Sequence, residues 1–269
     1  MIVNIRRWTV GVLAATLFVP GLAACNSGST EPTSGASPVV PADPKEALLA
    51  STKEIEKGNF NFTLTGDGLT GQGLVHKPSN SAQFTVTFDE DSEAAGMSME
   101  LIYIQSDSWM KLDLGALAES LPPQMTAQQD KYQHLDRSRI KDSEALAFDL
   151  EDVDPAGADV LFKAVTDVQK TGEGAYAGKL DATAATDAEA LDADVLKALG
   201  DQAKALPFTA KLDTEGRLTE LVISVPAAGD TKAHDIKVTY ADYGAAKGAQ
   251  KPPANQVVEA PESTYEMLS

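Results

Sequence analysis

Apolar and polar residues alternate with period two over long stretches of the chain. Phe60, Phe62 and Leu64 are interleaved with Asn59, Asn61, Thr63 and Thr65; Phe84, Val86 and Phe88 with Gln83, Thr85 and Thr87; Met97, Met99, Leu101 and Tyr103 continue the rule. A strand turns successive side chains to opposite faces, so the pattern predicts half-buried strands of an antiparallel sheet. Turns are expected at Gly66 to Gly73 and at Pro78-Ser79-Asn80, and a further strand through Trp109, Met110, Lys111 and Leu112 makes a meander. Ahead of these strands the period is that of a helix: Asp43 as N-cap, Pro44 at the first position, Glu46 three after the cap, Leu48, Leu49, Thr52 and Ile55 on one face, and Gly58 as the stop. The middle of the chain reads as helical at Leu114 to Leu121 and again in a segment capped by Asp154, with Leu161, Ala164, Val165 and Val168 on one face as far as Gly172. A strand at Ala175 to Asp181 and a helix at Ala188 to Leu199 follow. Strands at Phe208 to Asp213, Leu218 to Val225 and Asp235 to Tyr243 then close the chain, the first two joined by an Asp213-Thr214-Glu215-Gly216 turn. Strands before and after helices, without βαβ alternation, indicate an α+β fold, not a doubly wound sheet or a two-lobed solute-binding protein.

The first 24 residues form a different unit. Arg6 and Arg7 precede an apolar run from Trp8 to Ala24 that is broken by Pro20 and Gly21. A membrane span needs about 20 unbroken apolar residues, so the segment reads as a secretory signal. It ends in Leu22-Ala23-Ala24-Cys25, which resembles the lipobox of bacterial lipoproteins. That resemblance implies lipidation of the Cys25 thiol, cleavage before it, and anchoring on the outer face of a cell membrane. From Cys25 to Asp43 the chain is rich in Ser, Thr, Gly and Pro and buries too little surface to order itself, so it is expected as a flexible tether. A body spanning 44–260 and a short tail, 261–269, complete the expected organisation.

Charge and cysteine content remove several functions. Forty acidic residues against 22 basic ones give a net charge of −18, which repels a nucleic-acid backbone. Cys25 is the one cysteine, so neither a disulfide framework nor a zinc site of several thiolates can form.

Leu22 to Cys25, Asp43 to Leu49, Trp109-Met110-Lys111-Leu112, and Ile236 to Tyr240 followed by Asp242-Tyr243-Gly244 together resemble the actinobacterial LppX/LprG-type lipoproteins. The resemblance extends from Leu22 to about Pro261. It implies a curved antiparallel half-barrel, related in shape to the LolA/LolB carriers, that wraps a few helices around an apolar cavity. Members are associated with binding an acylated lipid or glycolipid and moving it through the envelope, and no catalytic residue comes with the family. The candidate cavity wall is Phe60, Phe62, Leu64, Phe84, Val86, Phe88, Met99, Leu101, Tyr103, Met110, Ile236 and Val238. Eight or nine strands and four helices could also close into a filled core, and the alternative is therefore an envelope scaffold or sensor that binds a protein partner.

Other motifs reduce to structure. Gly66-Asp67-Gly68-Leu69-Thr70-Gly71 matches a pyrophosphate-binding pattern, but Gly73 to Lys77 read as a strand where that chemistry needs a helix, so a hairpin turn is expected. Asp152-Val153-Asp154-Pro155-Ala156-Gly157 has Ala156 and Lys163 where a calcium loop needs oxygen ligands, and reads as a helix cap. Asp89-Glu90-Asp91 with Glu93 reads as a solvated turn. His76, His134 and His234 lie in unrelated segments without a hydrolase or metalloprotease motif, so neither an enzyme nor a metal or cofactor site is expected.

Overall fold

In the computed structural model, residues 37–269 form one compact unit. The structure describes residues 40–66, 68–89, 95–120, 126, 129–139, 153–185, 188, 193–229 and 232–267. Cys25, the signal segment and the tether as far as residue 39 lie outside the described residues, as do Asp67, Glu90, Asp91, Glu93 and Asp152.

The opening helix forms as its cap dictates. Asp43 is extended, its carboxylate accepts the Glu46 N–H at 2.9 Å, and Pro44 at the first position brings no N–H that would need a partner. Helices α1 (Pro44–Ser51) and α2 (Lys53–Glu56) meet at Thr52 and bury Leu48, Thr52 and Ile55 against the sheet. Strand β1 (Asn59–Gly66) follows, then β2 (Leu69–His76), β3 (Ser81–Phe88), β4 (Ser98–Ile104), β5 (Asp107–Asp113) and the short β6 (Tyr132–Leu135). The second half supplies α3 (Ala158–Lys163), β7 (Val165–Gly172), β8 (Ala175–Leu180), α4 (Ala193–Leu199), β9 (Leu206–Leu212), β10 (Leu218–Val225) and β11 (His234–Ala241). Strand β12 (Val257–Glu259) and α5 (Glu262–Met267) end the described chain.

These strands make one open, curved sheet in the order β12-β6-β5-β4-β3-β2-β1-β11-β10-β9-β8-β7. Neighbours are antiparallel except β12 and β6, which run parallel. The α+β half-barrel expected from the sequence is therefore the fold, with twelve strands in place of eight or nine.

Several elements differ from expectation. The helix read through Val165 and Val168 stops at Lys163, and Val165–Gly172 is instead edge strand β7, joined to β8 by a tight turn with Gly174 at φ +62°. Val165, Thr166, Val168 and Thr171 are β-branched and suit a pleated edge better than a helix. Lys45 Nζ donates to the carbonyls of Lys163 (3.1 Å) and Val165 (2.7 Å), groups that a continuing helix would have bonded internally. Asp154 caps no helix start directly; Gly157 is the N-cap of α3, and Asp154 accepts the N–H groups of Ala156 (3.1 Å) and Ala158 (2.6 Å) across the preceding turn. The helix expected from Leu114 is a 3-10 turn, Gly115–Ser120, and the one expected from Ala188 is described only as α4. The β1–β2 turn is tighter than expected, because β2 already begins at Leu69 and pairs with Gly66.

The last residues wrap the sheet. Beyond β11 the chain crosses the outer face, where the Ala249 N–H donates to Ser81 Oγ at 3.1 Å and Lys251 Nζ donates to Asp107 at 3.1 Å while lying 5.4 Å from the Trp109 ring centre. Residues 261–267, read from the sequence as tail, carry α5, in which Thr264 donates to Gln133 (2.5 Å) and the Tyr265 hydroxyl accepts the Asp136 N–H (2.8 Å).

Candidate functional site

The register sets all the candidate wall residues on one face of the sheet. One row of cross-strand neighbours runs Tyr240, Phe62, Gly73, Phe84, Leu101, Met110. The next runs Leu221, Val238, Leu64, Gly71, Val86, Met99, Leu112. Phe60 and Tyr103 share a third row through Val75 and Ala82, Phe88 pairs with Leu69, and Ile236 pairs with Ile223. The opposite face carries Asn61, Thr63, Thr65, Gln72, Gln83 and Thr85, and there the Thr63 and Thr239 hydroxyls meet at 2.6 Å.

Cover divides these residues into three sets. Phe60, Ile236 and Val238 belong to a large buried cluster beneath the helices, with α1 packed on α3 and β7 and α2 on β1. Leu101, Tyr103 and Met110 belong to a smaller one with Ala82 and Leu135, against which Ala260, just before α5, packs. Phe62 and Leu64 are half-buried and pack against the first cluster, Phe84 and Met99 are half-buried against the second, and Val86 and Phe88 are half-buried beside them. They form an apolar strip across β1, β3 and β4, and β2 contributes Gly71 and Gly73 to its middle. Gly73 is bare for a reason: a Cβ there would stand 2.7 Å from Cζ of Phe62 and 2.6 Å from the Gln83 carbonyl oxygen. The Phe62 ring thus lies over the β2 backbone, tilted against Phe60 at 6.3 Å, while Phe84 stacks on Tyr103 at 6.0 Å.

Among the described residues, the inner-face positions of β1 to β5 carry no charged side chain, and one carboxylate is buried beside β11. The Asp154 carboxylate is buried, accepts the Tyr240 hydroxyl at 2.6 Å, and has its pKa raised by burial, which outweighs its three hydrogen-bond donors. Burial and the nearby Asp154 likewise raise the Tyr240 phenol. Ser108, next to Tyr103 in the inner rows, is 1% exposed and its hydroxyl has no hydrogen-bond partner among the described residues. On the outer face, burial and Glu100 push the Tyr132 phenol up to about 12.

The histidines stay apart. His76 meets Ser79 at 2.6 Å within its own turn, His134 lies between Asp107 (3.6 Å) and Glu259 (3.3 Å), and His234 bonds the Lys232 carbonyl at 2.9 Å. Among the described residues no group of three His, Cys, Asp or Glu is placed to hold a metal ion, and no helix is long and apolar enough to cross a membrane. The role of Asp154 as an internal anchor escapes the sequence, although the alternation Ile236, Val238, Tyr240 already turns Tyr240 inward.

The chain matches no family model and no curated protein. Among solved structures it is similar to LprF from Mycobacterium bovis, at 14% identity over 78% of this chain and 97% of that one, with a TM-score of 0.46. It is also similar to the hypothetical protein CT021 from Chlamydia trachomatis, at 10% identity over 78% and 96% with a TM-score of 0.28. A putative outer membrane lipoprotein-sorting protein domain from Vibrio parahaemolyticus, at 8% identity over 79% and 94%, has a TM-score of 0.20.

Proposed function

We propose that this chain is an envelope lipoprotein, anchored through acylated Cys25 on the outer face of the cell membrane, that holds or carries an acylated lipid or glycolipid on the inner face of its half-barrel. The observation that carries the reading is the strip of Phe62, Leu64, Phe84, Val86, Phe88 and Met99, half-buried beside two closed clusters. Soluble proteins seldom leave a contiguous apolar surface of this kind without a use. Each acyl methylene transferred onto it gains about 0.8 kcal/mol, so eight of them contribute on the order of 6 kcal/mol before the costs of association. None of these six side chains is charged, which suits a hydrocarbon tail and leaves the lipid headgroup to the rim.

The test is organic extraction of the body, residues 37–269, purified from its native host. The expected result is acyl lipid in near one-to-one amount, reduced in Val86→Trp, which fills the strip without unfolding the domain. A second reading, a filled envelope scaffold for a protein partner, is favoured by the closed inner face of β9 to β11, where Leu206, Leu221 and Ile223 are buried. A wild-type protein free of lipid, with Val86→Trp clearly destabilised, supports that reading and overturns the carrier. For the anchor, labelled fatty acid should be incorporated by the full chain and not by Cys25→Ala.

A further inference from the structure

The ends of β9, β10 and β11 enclose a groove that the lipid strip does not use. It opens to solvent and has a volume of about 590 Å3, within the range of small-molecule sites. Its accessible apolar surface comes from Ala205, Pro207, Pro226 and Ala233, beneath which Leu206 and Val225 are buried, and the two prolines contribute no N–H. Its polar side chains are those of Gln202, Ser224, His234 and Asp235, and among the described residues neither lysine nor arginine lines it.

The chemistry of these groups selects a ligand. His234 Nδ1 lies 2.9 Å from the Lys232 carbonyl oxygen, which can only accept. That nitrogen therefore carries the ring proton, and in the neutral imidazole Nε2 presents a lone pair. Asp235, whose register partner is Ser224, adds a carboxylate. The polar end of the groove is thus rich in acceptors. An anionic headgroup would find no permanent counter-charge there and would meet the field of a chain with net charge −18.

We propose that this groove binds a small amphiphile with a cationic, hydrogen-bond-donating head, of the alkylammonium class, its chain on Pro207 and Pro226 and its head held by the Asp235 carboxylate beside His234. The site lies apart from Phe62 and Met99, so the proposal does not depend on the lipid reading.

The chain has three histidines, whose ring signals can be followed separately by NMR in residues 37–269. Decylammonium, below its micelle concentration, should shift the His234 ring signals saturably and leave those of His76 and His134 in place. Asp235 is exposed on its strand, so Asp235→Asn should fold normally and weaken decylammonium binding roughly fivefold, the scale of one solvent-exposed charge pair. Decanol should bind more weakly than the amine and ignore the substitution, and decyl sulfate should leave His234 unmoved. A His234 signal indifferent to decylammonium overturns the site. Equal response to the amine, the alcohol and the sulfate, or unchanged affinity in Asp235→Asn, overturns the assignment of the head.

Discussion

The Tyr240 hydroxyl donates a 2.6 Å hydrogen bond to the Asp154 carboxylate and so ties the end of strand β11 to the turn ahead of α3, 86 residues earlier in the chain. Burial raises the Asp154 pKa above its unfolded value, so the stability this group contributes is full below the ordinary carboxylate range and is lost as pH rises through the raised value. Asp154→Asn retains an acceptor for Tyr240 and loses one for a backbone N–H, at a cost of about 1–3 kcal/mol in acid. The gap between wild type and variant should narrow as pH rises. Urea unfolding from pH 4 to pH 8 measures it, and a gap that widens with pH would contradict the raised pKa.

Gly73 and Gly71 occupy neighbouring inner positions on β2 yet should respond differently to alanine. At Gly73 the new Cβ meets a carbonyl oxygen at 2.6 Å and the Phe62 ring at 2.7 Å, whereas at Gly71 the nearest atom is Leu64 Cβ at 3.5 Å. Gly73→Ala should destabilise by about 1–3 kcal/mol, and Gly71→Ala by well under 1 kcal/mol. Paired denaturation curves decide this, with equal losses refuting the account of Phe62 over the backbone.

Trp109 is the single tryptophan beyond the signal segment. It is 6% exposed, lying 5.6 Å from the His134 ring and 5.4 Å from the Lys251 ammonium of the crossing segment. Removing residues 245–269 should shift its fluorescence to the red and increase quenching by acrylamide. Lys251→Ala should change the emission only slightly, because a single exposed cation contributes about 1 kcal/mol or less. Emission identical in the truncated and intact chains would show that the segment does not cover Trp109.

Ser108→Ala removes a buried hydroxyl that has no partner among the described residues and leaves the surrounding shape intact. Its melting temperature should hold or rise, by the equivalent of about 1 kcal/mol at most. A loss of more than that would mean the hydroxyl is bonded after all.

Local signals were legible in the sequence wherever they repeat. The Asp43 cap, the strand Leu218–Val225 and the face shared by Phe60, Phe84 and Met99 all follow from period and capping chemistry. Tyr132–Leu135 and Val257–Glu259 are too short to show a period. Val165 and Val168 fit either a helix face or an edge strand, and the choice is made by Lys45, which is distant in sequence. Alternation turned Phe60 and Phe62 to the same side but could not show that one is sealed and the other half-open, since cover comes from helices elsewhere in the chain.

The placement of β1 beside β11 sets an order of assembly. From β1 to β6, and again from β7 to β11, each strand pairs with its successor in the chain, so both halves can zip up locally as they are synthesised. The contact that welds them, including Thr63 against Thr239, spans 176 residues. A chain leaving the ribosome therefore carries a finished first half whose β1 edge stays unpaired until the last long strand has appeared, and closing so large a loop is the slow step. Until then Asn59–Gly66 is an open edge rich in aromatic and β-branched residues, the stretch most exposed to pairing with a neighbouring chain.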